Sequence, residues 1–268
     1  MKIVAATNFQ DMSQLAADMI INQVKEKPSS VLGLATGGTV IGTYERIIED
    51  YKKNNTSYEH IHTVNLDEYI GVEPSNPNSY HYYMTDHLFS HINIDTNNVH
   101  IPSGLAKDYE EECKKYEKTI EELGGVDLQL LGIGVNGHIG FNEPGTSFQS
   151  VTHVEKLTES TRKANMRFFN SLDEVPTQAI TMGISTIMKS KKILLLVSGK
   201  KKAAILSQLL NGDIDEQVPA SILKTHPDVT IIADKDALAL VGDEKKRCFS
   251  SDKKELSGTN LFSVRTSY

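Results

Sequence analysis

Cysteine is scarce in this chain: Cys113 and Cys248 are the only two among 268 residues. They lie far apart, so no disulfide framework is legible and a reducing compartment fits. No apolar run approaches the ~20 residues that a bilayer-spanning helix needs. The opening residues MKIVAATNFQDM turn polar after a few weakly apolar positions, too soon for the apolar core of a secretory signal. Positive charge is in deficit too, with 28 Lys and Arg against 35 Asp and Glu, a net charge of −7. That balance argues against a nucleic-acid-binding surface, which is basic. It leaves room for an anionic small molecule held by a few local cations. Low-complexity linkers and internal repeats are also missing. The expectation is one cytoplasmic domain, residues 1–268, with neither a membrane nor a nucleic-acid partner.

What is present is an alternation of short apolar runs and longer amphipathic stretches. VLGLA (31–35), HTVNL (62–66), LQLLGI (128–133), ILLLVS (193–198) and VTIIA (229–233) are near-continuously apolar, as strands covered on both faces should be. Met12, Leu15, Ala16, Met19 and Ile20 repeat at helical spacing, with Thr7 and Gln10 placed as a capping box. Residues 108–123 and 200–211 read as helices, and 71–78 and 142–153 as loops. This pattern predicts an α/β fold, a Rossmann-like, mostly parallel sheet with helices on both faces. Ligands of such sheets bind beyond the carboxyl ends of the strands, so the residues just after each strand matter most.

The first such end is Thr36-Gly37-Gly38-Thr39, where two glycines and a following helix could turn backbone N–H groups toward a phosphate. It lacks the GxxxxGK[ST] pattern of nucleoside-triphosphate loops, and an ordinary capped turn has the same residues. The second is Asp67-Glu68-Tyr69, where a shielded Asp67 could act as a base or be a solvated loop acid. The third is GVNGHIGFNEP (134–144), which sets His138 among glycines, with Asn136 and Glu143 near enough to fix its tautomer. Backbone this bare leaves room for another molecule. Cations are available from TRKANMRFF (Arg162, Lys163, Arg167) and from the run Lys200, Lys201, Lys202. Of the nine histidines, His60 with His62 and His87 with His91 could each share a face. Neither pair has a third ligand, so no metal is expected.

Together LATGGT, NLDEYIG, GVNGHIGFNEP and TRKANMRFF resemble the glucosamine-6-phosphate deaminase family, in order and over nearly the whole chain. The resemblance implies conversion of D-glucosamine 6-phosphate and water to D-fructose 6-phosphate and ammonia, without organic cofactor or metal. By motif, the enolisation base falls on Asp67 and the ring-opening histidine on His138, supported by Asn136 and Glu143. The phosphate site falls on Thr36, Gly37, Gly38, Thr39, Arg167 and Lys202. The partner implied is a small sugar phosphate; hexamers are typical of regulated members, so a homo-oligomer is compatible with the resemblance. Some members carry Asp where this chain has Asn136, and the regulated ones carry a basic pair where this chain has His153 and Glu155. Activation by N-acetylglucosamine 6-phosphate is therefore expected to be weak or absent. Two other readings compete. A 6-phosphogluconolactonase shares the fold but needs no C2 base, and a sugar-phosphate-sensing domain has no use for both Asp67 and His138.

Overall fold

The structure is a computed structural model that describes residues 1–242; Cys248 lies outside the described residues. β1 (Lys2–Ala6) leads to α1 (Phe9–Glu26), β2 (Val31–Leu34) to α2 (Ile41–Asn54), and β3 (His62–Asn65) to β4 (Asp67–Tyr69) and α3 (Tyr80–His87). There follow β5 (Val99–His100), α4 (Tyr109–Glu122), β6 (Leu128–Gly132), β7 (His153–Lys156) and α5 (Glu159–Asn165). The chain continues with β8 (Gln178–Thr181), α6 (Ile184–Met188), β9 (Lys192–Val197), α7 (Ala203–Asn211) and β10 (Val229–Asp234).

Seven strands form one parallel sheet in the order β1-β10-β9-β6-β2-β3-β5. Its central strands are predominantly apolar because helices cover both faces: Leu194, Leu195, Leu196, Ile231 and Ile232 are fully buried. From β2 the chain steps outward to β3 and β5, then returns to β6 on the other side of β2 and moves away through β9 and β10. β2 and β6 are thus neighbours whose connections leave in opposite directions, which opens a crevice beyond their carboxyl ends. The Thr36–Thr39 turn follows β2 and the Gly134–Pro144 turn follows β6, so the topology brings these two motifs together.

The structure corrects the expected elements in three places. The cap of α1 is one residue later than Thr7 and Gln10 indicate: Asn8 Oδ1 accepts from Asp11 N–H (2.9 Å), while Asp11 Oδ2 accepts from the Thr7 N–H (2.7 Å) and hydroxyl (2.9 Å). Asn is the better cap, and a carboxylate in the first turn also meets the positive end of the helix dipole. Second, Asp67-Glu68-Tyr69 is not a loop. It is strand β4, paired antiparallel with β8, which pairs antiparallel with β7 in a separate three-stranded sheet. Third, His87 and His91 share no helix face, because α3 ends at His87 and His91 lies in a following 3-10 turn.

Candidate active site

The crevice holds a cavity of about 590 Å³ whose wall includes Thr36, Gly37, Asp67, His138, Arg167 and Lys202. Asn136 also lines it, while Gly38 and Thr39 do not. Glu143 stands behind His138, buried.

Asp67 reaches this wall because β4 turns away from the parallel sheet and pairs Asp67 with Thr181. The residue is only 6% exposed. Burial, and secondarily the charge of Glu68, push its pKa up to about 8. It adjoins the glycine turn, since a Cβ on Gly140 would stand 3.6 Å from Asp67 Oδ2 and 3.0 Å from Thr181 Oγ1.

The glycines around His138 have two distinct causes. Gly137 and Gly140 adopt φ of +89° and +57°, in the region that L side chains rarely enter. Gly134 is needed for space: the His138 ring lies where its side chain would be, with Cε1 2.3 Å from an added Cβ. Gly134 N–H also donates to the His138 carbonyl (2.9 Å), closing the turn under the ring.

Behind the ring, His138 Nδ1 lies 3.6 Å from Glu143 Oε2 and 3.5 Å from Thr161 Oγ1. Glu143 Oε2 accepts from Asn136 Nδ2 (2.8 Å), and its Oε1 accepts from Thr158 N–H (3.2 Å) and hydroxyl (3.1 Å). Burial alone would raise the Glu143 carboxyl. The interactions with His138, Thr161 and Asn136 outweigh it and hold the pKa at about 2. Glu143 is therefore a fixed negative charge at neutral pH, able to stabilise an imidazolium and to orient the ring.

Asn136 donates to this carboxylate and accepts from His138 N–H through its Oδ1 (3.3 Å). Asn136→Asp would put a second carboxylate where Glu143 now receives a donor. The added negative charge favours a charged imidazole, so the limb of the pH–rate profile that belongs to His138, as distinct from that of Asp67, should move to higher pH. A profile that stays in place would refute this account of Asn136.

Two cations converge on the same cavity. An added Cβ on Gly38 would lie 3.5 Å from Arg167 Nη2, so the guanidinium rests over the glycine turn. Lys202 Nζ donates to the Ile133 carbonyl (2.6 Å) just beyond β6. Burial, with the charge of Arg167, lowers Lys202 to about 8. A bound phosphate dianion would offset that repulsion. Tyr83 on α3 braces the turn, its hydroxyl donating to the Gly37 carbonyl (2.8 Å).

Arg162 plays no part in this cluster; its guanidinium donates to the Leu172 (2.7 Å) and Val175 (3.0 Å) carbonyls. Tyr69 both lines the cavity and packs, with its ring against Phe141 and its hydroxyl accepting from Asn165 Nδ2 (2.9 Å). Sequence reasoning missed Thr158 and Thr161, which precede and open the TRKANMRFF motif. It also passed over Glu68, although that residue adjoins the candidate base. Among the described residues no group of three or more His, Cys, Asp or Glu could hold a metal ion. No described helix is long and apolar enough to cross a membrane.

Residues 5–232 match the family of glucosamine-6-phosphate isomerases/6-phosphogluconolactonase. The chain belongs to this family. It is 61% identical over 250 residues to a glucosamine-6-phosphate deaminase of Geobacillus sp. (strain WCH70), covering 93% of this chain and 100% of that one. A deaminase of Thermoanaerobacter pseudethanolicus is 55% identical, with 91% and 96% covered. Among solved structures, a monomeric glucosamine-6-phosphate deaminase matches with a TM-score of 0.89 at 53% identity, over 90% of this chain and 100% of that one. A 6-phosphogluconolactonase from Trypanosoma brucei matches with a TM-score of 0.74 at 17% identity, over 90% and 98%, a likeness of fold alone.

Proposed function

We infer that this family member is a deaminase, converting D-glucosamine 6-phosphate and water to D-fructose 6-phosphate and ammonia in amino-sugar catabolism. The observation that carries the assignment of roles is a single cavity lined by a buried carboxyl, Asp67, a carboxylate-backed imidazole, His138, and the cations Arg167 and Lys202. The high identity to deaminases supports the reaction, while the lactonase likeness goes no further than fold.

The phosphate would sit between the Thr36–Thr39 turn, Arg167 and Lys202, and its binding energy would place the sugar at C1 and C2 against Asp67 and His138. His138 would carry a proton from the anomeric hydroxyl to the ring oxygen, opening the pyranose to the aldehyde. Glu143 stabilises the imidazolium during that transfer. The aldehyde makes the C2 proton acidic, and the ionised form of Asp67 removes it while the C2 ammonium passes a proton to O1, leaving an enolamine. Proton return to C1 gives an imine at C2. Water adds there, ammonia departs, and the ketose remains. This chemistry needs a carboxylate that holds a proton long enough to deliver it, which a buried Asp67 can do and a solvated one cannot.

Incubation of the purified chain with glucosamine 6-phosphate should give ammonia and fructose 6-phosphate in equal amounts. Hydrolysis of 6-phosphogluconolactone with no ammonia released from the amino sugar would move the assignment to the lactonase branch. We place the enzyme in the cytoplasm, where low cysteine use and a phosphorylated substrate both fit.

The same reading includes weak or absent activation by N-acetylglucosamine 6-phosphate. His153 Nε2 lies 3.1 Å from Glu155 Oε2. Burial opposes charge on His153, but the bonds to Glu155 and to the Val151 carbonyl prevail and raise its pKa. The histidine is thus drawn toward its charged form, and its carboxylate partner cancels that charge. An anionic effector meets no net positive site there. N-acetylglucosamine 6-phosphate should leave the rate curve hyperbolic and unmoved, and a sigmoidal curve made hyperbolic by it would contradict this.

A further inference from the structure

Glu68 is a buried carboxylate that the reaction scheme does not use, 3% exposed and adjacent in β4 to the proposed base. Its bonds all run to backbone. Oε1 accepts from the N–H groups of Tyr69 (2.8 Å) and Tyr80 (3.0 Å), and Oε2 from the N–H of His81 (2.9 Å). Tyr80 and His81 are the first two residues of α3, whose N-terminal N–H groups have no partner within the helix. Ser79 takes the next one, accepting from Tyr82 N–H (2.9 Å). The start of α3 is therefore clipped to the catalytic strand by one carboxylate, in the place where a negative charge is favoured by the helix dipole.

What hangs from that clip is a wall of the cavity. Tyr80 and Tyr83 both line it. Tyr80 donates its hydroxyl to Tyr69 (3.2 Å), and Tyr83 reaches across to the Gly37 carbonyl in the phosphate turn. A continuous path thus joins β4 to the phosphate end: Glu68, the α3 N-terminus, Tyr83, Gly37.

We propose that Glu68 is a positioning residue for the reaction, fixing α3 so that the base on β4 and the phosphate turn are held at one separation. The inference rests on the proposed roles of Asp67 and of the phosphate turn. It also gives the adjacent acids distinct tasks. Burial raises the Glu68 carboxyl, but three backbone donors pull it back toward the ionised form. The net shift of Glu68 is still upward; Asp67 has no such set of donors among the described residues, and burial with the charge of Glu68 raises it to about 8. The titratable groups that act on the pair are Tyr69 on β4, Tyr80 on α3 and Tyr116 on α4, and His138 lines the same cavity as Asp67. Beyond burial, it is the charge of Glu68 itself that raises Asp67.

The test is kcat and KM against pH for wild type, Glu68→Gln, Glu68→Asp and Tyr83→Phe, with wild-type ammonia release established first. A glutamine amide replaces one of the two acceptor oxygens with a donor, so it cannot reproduce the bonds to Tyr80 and His81 on separate oxygens, and it carries no charge. Glu68→Gln should raise KM for glucosamine 6-phosphate and lower kcat, each by roughly tenfold, and move the Asp67 limb of the profile to lower pH. Tyr83→Phe, which breaks the path beyond α3, should raise KM and leave that limb in place. Glu68→Asp keeps the charge one methylene short, so it should hold the limb and raise KM; it also serves if the glutamine variant does not fold. Wild-type KM in both Glu68 variants would overturn the proposal with the deaminase assignment intact. A wild type that releases no ammonia would instead overturn the assignment beneath it.

Discussion

Asp67→Asn should cut turnover by about 10²–10⁴-fold, the usual contribution of a positioned general base, and should make the protein harder to unfold at neutral pH. The two effects have one origin. Burial and the neighbouring Glu68 raise the Asp67 pKa to about 8 in the fold, whereas an unfolded aspartate titrates near 3.9. Between those values the folded state holds a proton that the unfolded state has released. Stability from this group is therefore fully present below about pH 4 and is lost as pH rises through about 8. A tenfold difference in proton affinity between the two states corresponds to about 1.4 kcal/mol, so ionising Asp67 in place costs a few kcal/mol. Asparagine has nothing to ionise. Urea unfolding of the two proteins should give similar midpoints near pH 4 and a variant midpoint that lies increasingly above wild type toward pH 8. A constant gap across that range would show that burial does not hold the proton on Asp67. Undiminished ammonia release would remove it from the mechanism.

The same carboxyl shows what could be read from sequence and what could not. The parallel sheet was legible because its strands are buried on both faces, and runs such as ILLLVS have no polar interruption before their last residue. The second sheet was not legible. DEY, HVEK and QAIT are short and half polar, with none of the apolar continuity of the main strands. Their pairing also joins Asp67 to Thr181, a separation at which no local pattern survives. Yet that pairing is what buries Asp67, so the residue could be named as a candidate base while the cause of its raised pKa could not. Thr36, Gly37 and His138 were recognisable because strand ends carry chemistry in this class of fold, whereas Arg167 and Lys202 were named through the family resemblance; all five line one cavity. Glu68 escaped notice because its meaning depends on a helix N-terminus twelve residues along the chain. Without that helix in place, the second of two adjacent acids looks like a solvated neighbour of the first.

Gly134→Ala should lower kcat by about 10²-fold with little change in KM. The backbone there needs no left-handed conformation, so alanine is permitted on that ground. The obstacle is the imidazole: an added Cβ would stand 2.3, 2.4 and 2.5 Å from Cε1, Nδ1 and Nε2 of His138. The ring is the movable party, since it carries 20% side-chain exposure toward the cavity while the turn beneath it is closed by backbone hydrogen bonds. It must shift by about 1 Å, and a displacement of that size at a catalytic group can cost about 10²-fold. The shift also draws Nδ1 away from Glu143 and Thr161, which set its orientation. Neither Arg167 nor Lys202 is touched, which is why phosphate anchoring and KM should survive. Non-additivity separates this account from general damage to the turn. In a His138→Gln background the ring-opening group is already gone, so the same glycine substitution should remove little more activity. If the two losses multiplied instead, Gly134 would be acting on something other than the histidine, and the crowding argument for this glycine would fall.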